Sequence, residues 1–136
     1  EKQSNWKLLY PAIFYPCEGK SSYTVVVPDL PGCVSEGDSL ADAILMGTDA
    51  ACGWLLDELE EGNPLPKSSE VKDMHPEAGG IVNLLVLDLD AYAQKYGTNA
   101  VRQNLTIPAY MNTYIEKNGL SLSKIAQDAI SAKMQA

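Results

Sequence analysis

The residues with the clearest chemical meaning lie in a short alternating run late in the chain. Over residues 100–107, Arg102, Asn104 and Thr106 share one parity, while Val101, Leu105 and Ile107 share the other, with Gln103 the polar intrusion. A strand sends successive side chains to opposite faces, so this segment is expected to carry one wholly polar and one mostly apolar face. The polar set suits base edges: Arg pairs with guanine O6 and N7, Asn with adenine N6 and N7, and Thr meets a base or a methyl group. The competing reading is a solvated face on a plain dimerisation arm. Ser121, Ser123 and Lys124 open a later helical stretch. Hydroxyls, free amides and a cation at a helix start suit a phosphate, although capping alone accounts for Ser121.

A second set of charges sits mid-chain. Asp57, Glu58, Glu60 and Glu61 crowd the end of a long amphipathic stretch. Acids there oppose the helix dipole by roughly 0.3–1 kcal/mol each, where cations would be the favourable choice. A basic partner would explain them; so would a solvated polar end, because salt screens the cost.

Catalytic constellations are hard to assemble. His75 is the one histidine, and it lies in an irregular connection, so Ser39 and Cys33 have no plausible base. Metal-dependent hydrolysis needs converging carboxylates, but Asp29 reads as a turn residue before Pro31-Gly32, and Asp88 and Asp90 as a strand end and a helix cap. Cys17, Cys33 and Cys52 are odd in number and contain no C-x-x-C pair. Neither a disulfide framework nor a structural zinc site is expected. The expectation is a binding protein with no enzymatic activity, no metal and no cofactor.

The elements that must position these residues follow from periodicity. Trp6 to Tyr15 reads as a strand in which Pro11 favours an edge position. Tyr23 to Val27 and Cys33 to Glu36 read as two more strands, with Pro31-Gly32 as the tight turn between them. A long helix follows, capped by Ser39 and carrying Asp42 in its first turn. Its expected stripe is Leu40, Ile44, Gly47, Ala51, Trp54 or Leu55, and Leu59, and Gly62 ends it. Asn63 to Gly80 is an irregular connection. Ile81 to Leu87, nearly continuous in apolar residues, suits a buried central strand, and Leu89 to Tyr96 a short helix ending at Gly97. Residues 1–97 thus form an α+β layer, an antiparallel sheet of about four strands packed on helices.

Residues 98–136 read strand, helix, helix. Pro108 starts the first helix, whose stripe is Met111, Tyr114 and Ile115, and Asn118-Gly119 ends it. Leu122, Ile125, Ala126, Ala129 and Ile130 stripe the second. Fewer than 40 residues with one unpaired strand make a poor core. Two copies could pair their strands into an antiparallel ribbon, which a major groove admits.

Charge separates the same two parts. The 136 residues carry a net −8. Residues 1–97 hold 16 of the 18 acidic and 6 of the 10 basic residues, a balance of −10, whereas 98–136 hold 4 basic and 2 acidic residues, a balance of +2. Two surfaces with different partners are one implication, and simple solubility is another. No run approaches the ~20 apolar residues that span a bilayer. The first residues show no basic start followed by an apolar stretch, so no signal peptide is expected in them. A reducing cytoplasm fits the cysteines.

One segment carries a resemblance. Asp29-Leu30-Pro31-Gly32-Cys33-Val34-Ser35-Glu36-Gly37-Asp38-Ser39 closely resembles the hallmark of HicB antitoxins, extended by Tyr23 to Pro28, Ala43, Glu60-Glu61-Gly62, Pro64 and Pro66. It covers about residues 8–70. Residues 98–136 resemble a ribbon-helix-helix repressor domain. The resemblance implies a truncated ribonuclease-H-like N-terminal domain that binds and covers a HicA-type toxin, a small basic protein that cleaves RNA. It also implies a C-terminal domain that dimerises and binds operator DNA to autoregulate transcription through Arg102, Asn104 and Thr106. A homodimer is expected, with a tetramer open if the N-terminal domains also associate. The alternative is a stand-alone regulator whose N-terminal domain oligomerises or senses a ligand.

Overall fold

A turn-rich opening segment and a strand that returns after a long helix build one sheet. In the computed structural model, strands β1 (Leu8–Pro16), β2 (Tyr23–Val26) and β3 (Val34–Gly37) form an antiparallel meander, helix α1 (Leu40–Glu60) follows, and β4 (Ile81–Leu87) returns beside β1. The sheet order is β3-β2-β1-β4, antiparallel throughout. Helices α2 (Leu89–Tyr96), α3 (Ala109–Lys117) and α4 (Leu122–Met134) complete the chain. Residues 7–77, 79–96 and 100–135 are described. The expected strand start at Trp6 and the helix stop at Gly97 lie outside them. The chain divides into a unit of Lys7–Tyr96 and a second of Gly97–Ala136 with the first six residues.

Helix α1 packs on the sheet through small residues. Its buried positions are Ala43, Gly47, Ala51, Cys52 and Leu55. Gly47, Ala51 and Leu55 of the expected stripe are buried, but the stripe is rotated toward Ala43 and Cys52: Leu40 is exposed, and Ile44, Trp54 and Leu59 are only partly covered. The reason is closeness. A Cβ added at Gly47 would lie 3.0 Å from Val25 Cγ2, so bulk at Leu40 and Ile44 is turned aside and the layer closes on Phe14, Val25, Leu30, Leu55, Leu85 and Leu87, all fully buried.

The hallmark segment owes its residues to this geometry. Gly32 takes φ +81° in the Pro31-Gly32 turn, a conformation that costs glycine little, and Trp54 Nε1 of α1 donates to the Pro31 carbonyl at 3.0 Å. A Cβ at Gly37 would collide with the backbone of Ala43. The Asp42 amide donates to Ser39 Oγ at 3.1 Å, and Asp42 Oδ2 accepts from the Asp38 amide at 2.9 Å, a reciprocal cap that fixes where α1 starts. At the other end the amides of Gly62 and Asn63 donate to the carbonyls of Leu59 and Glu58, closing the last turn.

Two sequence expectations about the strands are corrected. β1 lies inside the sheet, not at its edge. Pro11 is tolerated because β2 covers β1 only from Ile13 to Pro16, so at Pro11 one side of the strand is open. Conversely β4, read as a central strand, is an edge strand among the described residues. Leu85 and Leu87 are buried against α1, but Ile81, Leu84 and Val86 are exposed.

Candidate functional site

The C-terminal unit is two well-formed helices without a core. Ser121 Oγ accepts from the Lys124 amide at 3.2 Å and caps α4. The turn after α3 closes with Gly119 and Leu120 amides on the carbonyls of Glu116 and Ile115. Yet α3 and α4 contain no buried residue. Tyr110, Met111, Tyr114, Ile115, Leu120 and Ile125 line one apolar groove, and Tyr110 is 71% exposed. Residues 100–107 form no strand in the single chain, since a strand is defined by the ladder partner it lacks here. Val101, 76% exposed, and Leu105 show their apolar side to solvent.

The candidate DNA-facing residues fall into two groups. Arg102, Asn104 and Thr106 are all exposed. Arg102 and Ser123 line one shallow groove with Ala100, Val101 and Gln103, so the structure brings the start of α4 beside the alternating segment. Ser121 is engaged as a cap, and Lys124 Nζ lies 3.7 Å from Asp128 Oδ1, four residues on. Both members of that pair are exposed, which makes it weak.

At the end of α1, Asp57, Glu60 and Glu61 are exposed and Glu58 is partly covered. No basic residue lies in the last turn. Asn63 Nδ2 donates to Glu58 Oε1 at 3.3 Å and to Glu61 Oε1 at 3.4 Å, holding two of the carboxylates against the cap. The arrangement is an acidic tip.

Asp29 shows what sequence reasoning missed. Its carboxylate accepts from the Ser69 amide at 2.8 Å and from Ser69 Oγ at 2.7 Å. Nearby, the Tyr10 hydroxyl donates to the Pro66 carbonyl, and burial followed by the charge of Asp29 pushes that phenol above its usual range. The connection from Asn63 to Gly80 is thus fastened across the sheet by side chains 40 residues apart in sequence, a separation no local pattern signals. Its residues Ser68 to Lys72, including a single 3₁₀ turn at Val71–Asp73, run beside Leu9 and Leu84 on the face opposite α1.

Cys33, Cys52 and Asp88 are perturbed by the packing around them. Burial drives the Cys33 thiol upward. Burial, with the nearby carboxylate of Asp49, pushes Cys52 up to about 11, so neither is a ready nucleophile. Asp88 caps α2 through the Ala91 amide at 3.0 Å and pairs with Lys7 Nζ at 3.2 Å. Burial alone would raise its pKa, but those partners together hold it below the ordinary carboxylate value. Among the described residues no group of three or more His, Cys, Asp or Glu side chains is placed to hold a metal ion, and no helix is long and apolar enough to cross a membrane.

Comparison with known proteins meets this geometry from the other side. The family model of HicB-like antitoxins of bacterial toxin–antitoxin systems matches residues 10–131. An uncharacterised 14.9 kDa protein from the rep-hol intergenic region of Haemophilus phage HP1 is 36% identical over 92 residues, covering 65% of this chain and 66% of its own length. Among solved structures, the fold resembles a toxin–antitoxin complex from Streptococcus pneumoniae, with a TM-score of 0.59 at 21% identity, covering 94% of this chain and 99% of that one. It also resembles the antitoxin HicB of Burkholderia pseudomallei, with a TM-score of 0.56 at 26% identity, covering 91% and 96%. The chain belongs to the HicB-like antitoxin family of bacterial toxin–antitoxin systems.

Proposed function

We propose that this chain neutralises a HicA-type toxin, a small basic RNA-cleaving protein, through residues 1–97, and that residues 98–136 form a ribbon-helix-helix dimer that binds operator DNA and represses its own operon. The four-stranded sheet with α1 on one face is then the truncated ribonuclease-H-like layer. The observation that carries the dimer is the absence of any buried residue in α3 and α4. Helices this short hold together in water by burying an apolar face, not by propensity, so the groove lined by Met111, Tyr114 and Ile125 needs a second copy.

Pairing two copies of residues 100–107 would place Val101, Leu105 and Ile107 inward and set Arg102, Asn104 and Thr106 side by side on the ribbon's outer face. Ser121, Ser123 and Lys124 would then meet phosphates. The four basic residues of this unit make a thin electrostatic footprint, since affinity from phosphate contacts scales with their number. Operator binding is therefore expected to tighten when two dimers share a site. The acidic tip of Asp57, Glu58, Glu60 and Glu61 is one surface offered to the basic toxin. A cytoplasmic setting agrees with both partners.

The test is co-expression with the neighbouring toxin gene, followed by RNA cleavage with and without this chain. A stable complex that silences cleavage is expected. No complex and unimpeded cleavage would remove the antitoxin role and leave operator binding, read by mobility shift, as the main function.

A further inference from the structure

The alternating segment holds one residue that the proposed function leaves unused. On the inward parity of residues 101–107, Val101, Leu105 and Ile107 are apolar and Gln103 is not. The facing stripes of α3 and α4 hold no amide and no charge. In the single chain Gln103 is exposed and lines a shallow groove with Val101 and Ser123. Its neighbours of the same parity, Val101 and Leu105, are exposed too, so the face is open to a second copy with its amide in place.

We infer that Gln103 selects the partner of the C-terminal unit, a role that rests on the ribbon dimer proposed above. Its carboxamide pairs with the Gln103 carboxamide of the second copy, so the ribbon admits a chain that brings the same amide and disfavours one that does not. The bounds of the segment place the axis. Pro108 has no N–H and stands at the N-cap of α3, so the run free to pair ends at Ile107. Pairing that covers 101–107 in full is centred on Asn104, with Val101 opposite Ile107 and Gln103 opposite Leu105 of the other copy. A centre at Gln103 or Leu105 leaves Ile107 or Val101 without a partner inside the segment. With the centre at Asn104, the two Gln103 residues are diagonal neighbours across the axis, about 7–8 Å apart, a gap that long side chains bridge. Each Nε2 then donates to the opposing Oε1. The hydroxyl of Ser123, in the same groove, is an acceptor for the second N–H of each amide, and its own O–H stays free for a phosphate.

Desolvation makes the amide selective. One residue from the axis, Gln103 lies in the middle of the inner face, whereas Val101 and Ile107 take its ends, so water reaches it least. A buried amide without a partner forfeits its bonds to water, which weakens association roughly tenfold. Two matched amides avoid that loss. A chain with an apolar residue at this position leaves the Gln103 amide bare and is disfavoured. One polar residue in an apolar seam fixes partner and register in coiled coils by the same physics, at some cost in stability.

The test uses the full-length chain in a tagged and an untagged form, both carrying Asn104→Cys and Cys17→Ser. Asn104 faces its own counterpart at the axis, where opposite Cα atoms lie about 4.5–5.5 Å apart, within disulfide reach; Cys33 and Cys52 are buried. The two forms are incubated together in a glutathione buffer, where subunits and disulfides exchange, and the three cross-linked products are measured on a non-reducing gel. When both forms keep Gln103, the mixed product is expected at the random share of about half. With Gln103→Met, of similar length but without hydrogen-bonding groups, on one form only, it should fall to about a tenth, while Gln103→Met chains still cross-link with one another. Gln103→Leu, measured in the same way, guards against a defect peculiar to one variant. A mixed share that stays at half with both variants overturns the role of Gln103 and leaves the dimer standing. Failure of both variants to cross-link with themselves overturns it as well, because pairing would then require the amide instead of matching it. No cross-link between chains that keep Gln103 overturns the ribbon and this role together. The antitoxin role stands or falls separately, on RNA cleavage.

Discussion

The two units of this chain satisfy the same requirement in different ways. Residues 7–96 enclose Phe14, Val25, Leu55, Leu85 and Leu87 between a sheet and a helix, so their stability is internal. Residues 100–135 form two helices with no buried residue among those described, so the dimer proposed above is what would give their apolar faces a partner. The difference teaches that capping and periodicity suffice to define a helix, whereas only a second apolar surface makes it persist. In the body that surface is the sheet; in the C-terminal unit the proposed second copy would supply it.

The sharpest way to break the comparison is to cut into each unit and vary concentration. Leu55→Ala should cost about 2–5 kcal/mol, seen in urea denaturation of the body at a midpoint independent of protein concentration. Ile125→Asp should leave that transition alone and weaken C-terminal dimerisation at least tenfold, about 1.4 kcal/mol or more, seen as a concentration-dependent loss of helical circular dichroism. An Ile125→Asp effect indifferent to concentration would put the C-terminal unit in the same class as the body.

Smaller effects sharpen the division of labour. Arg102→Ala should lose about 1–3 kcal/mol of operator discrimination, measured by titration against specific and scrambled DNA, without altering toxin inhibition. Ser69→Ala removes one of two donors to Asp29 and should cost about 1 kcal/mol, read as a lower thermal midpoint of the body and faster amide exchange over residues 63–77. Asp88 should have the least effect. Its folded pKa is depressed, so its contribution is complete above the unfolded value near 3.9 and is lost as pH falls through the lower folded value. Asp88→Asn should flatten the acid limb of stability against pH below about 4 and change little at neutrality.

Much of the fold was legible because it is local. Ser39 and Asp42 announce the start of α1, Gly62 its end, and Pro31-Gly32 the turn that Trp54 later clasps. The polar parity of Arg102, Asn104 and Thr106 is likewise a local pattern. The failures were non-local. The α1 stripe was rotated because the sequence shows which residues are apolar but not how closely a sheet approaches, and the approach of Gly47 to Val25 favours small residues. β1 and β4 exchanged their expected roles because strand order depends on which segments pair. Pro11 is sheltered by a short β2, and the apolar run of β4 meets no fifth strand among the described residues.

What the sequence determined by itself is therefore the strands and helices of the body and the two C-terminal helices, most of their caps and turns, the family and the separation of an acidic body from a mildly basic tail. These follow from side-chain chemistry within a few residues of each position, which holds whatever the rest of the chain does. What only the tertiary structure decided is the clasp of Asp29 on Ser69, the buried face of α1 and the identity of the open edge. Each depends on residues far apart in the chain being brought within bonding distance, and burial is a property of that assembly, not of any residue alone.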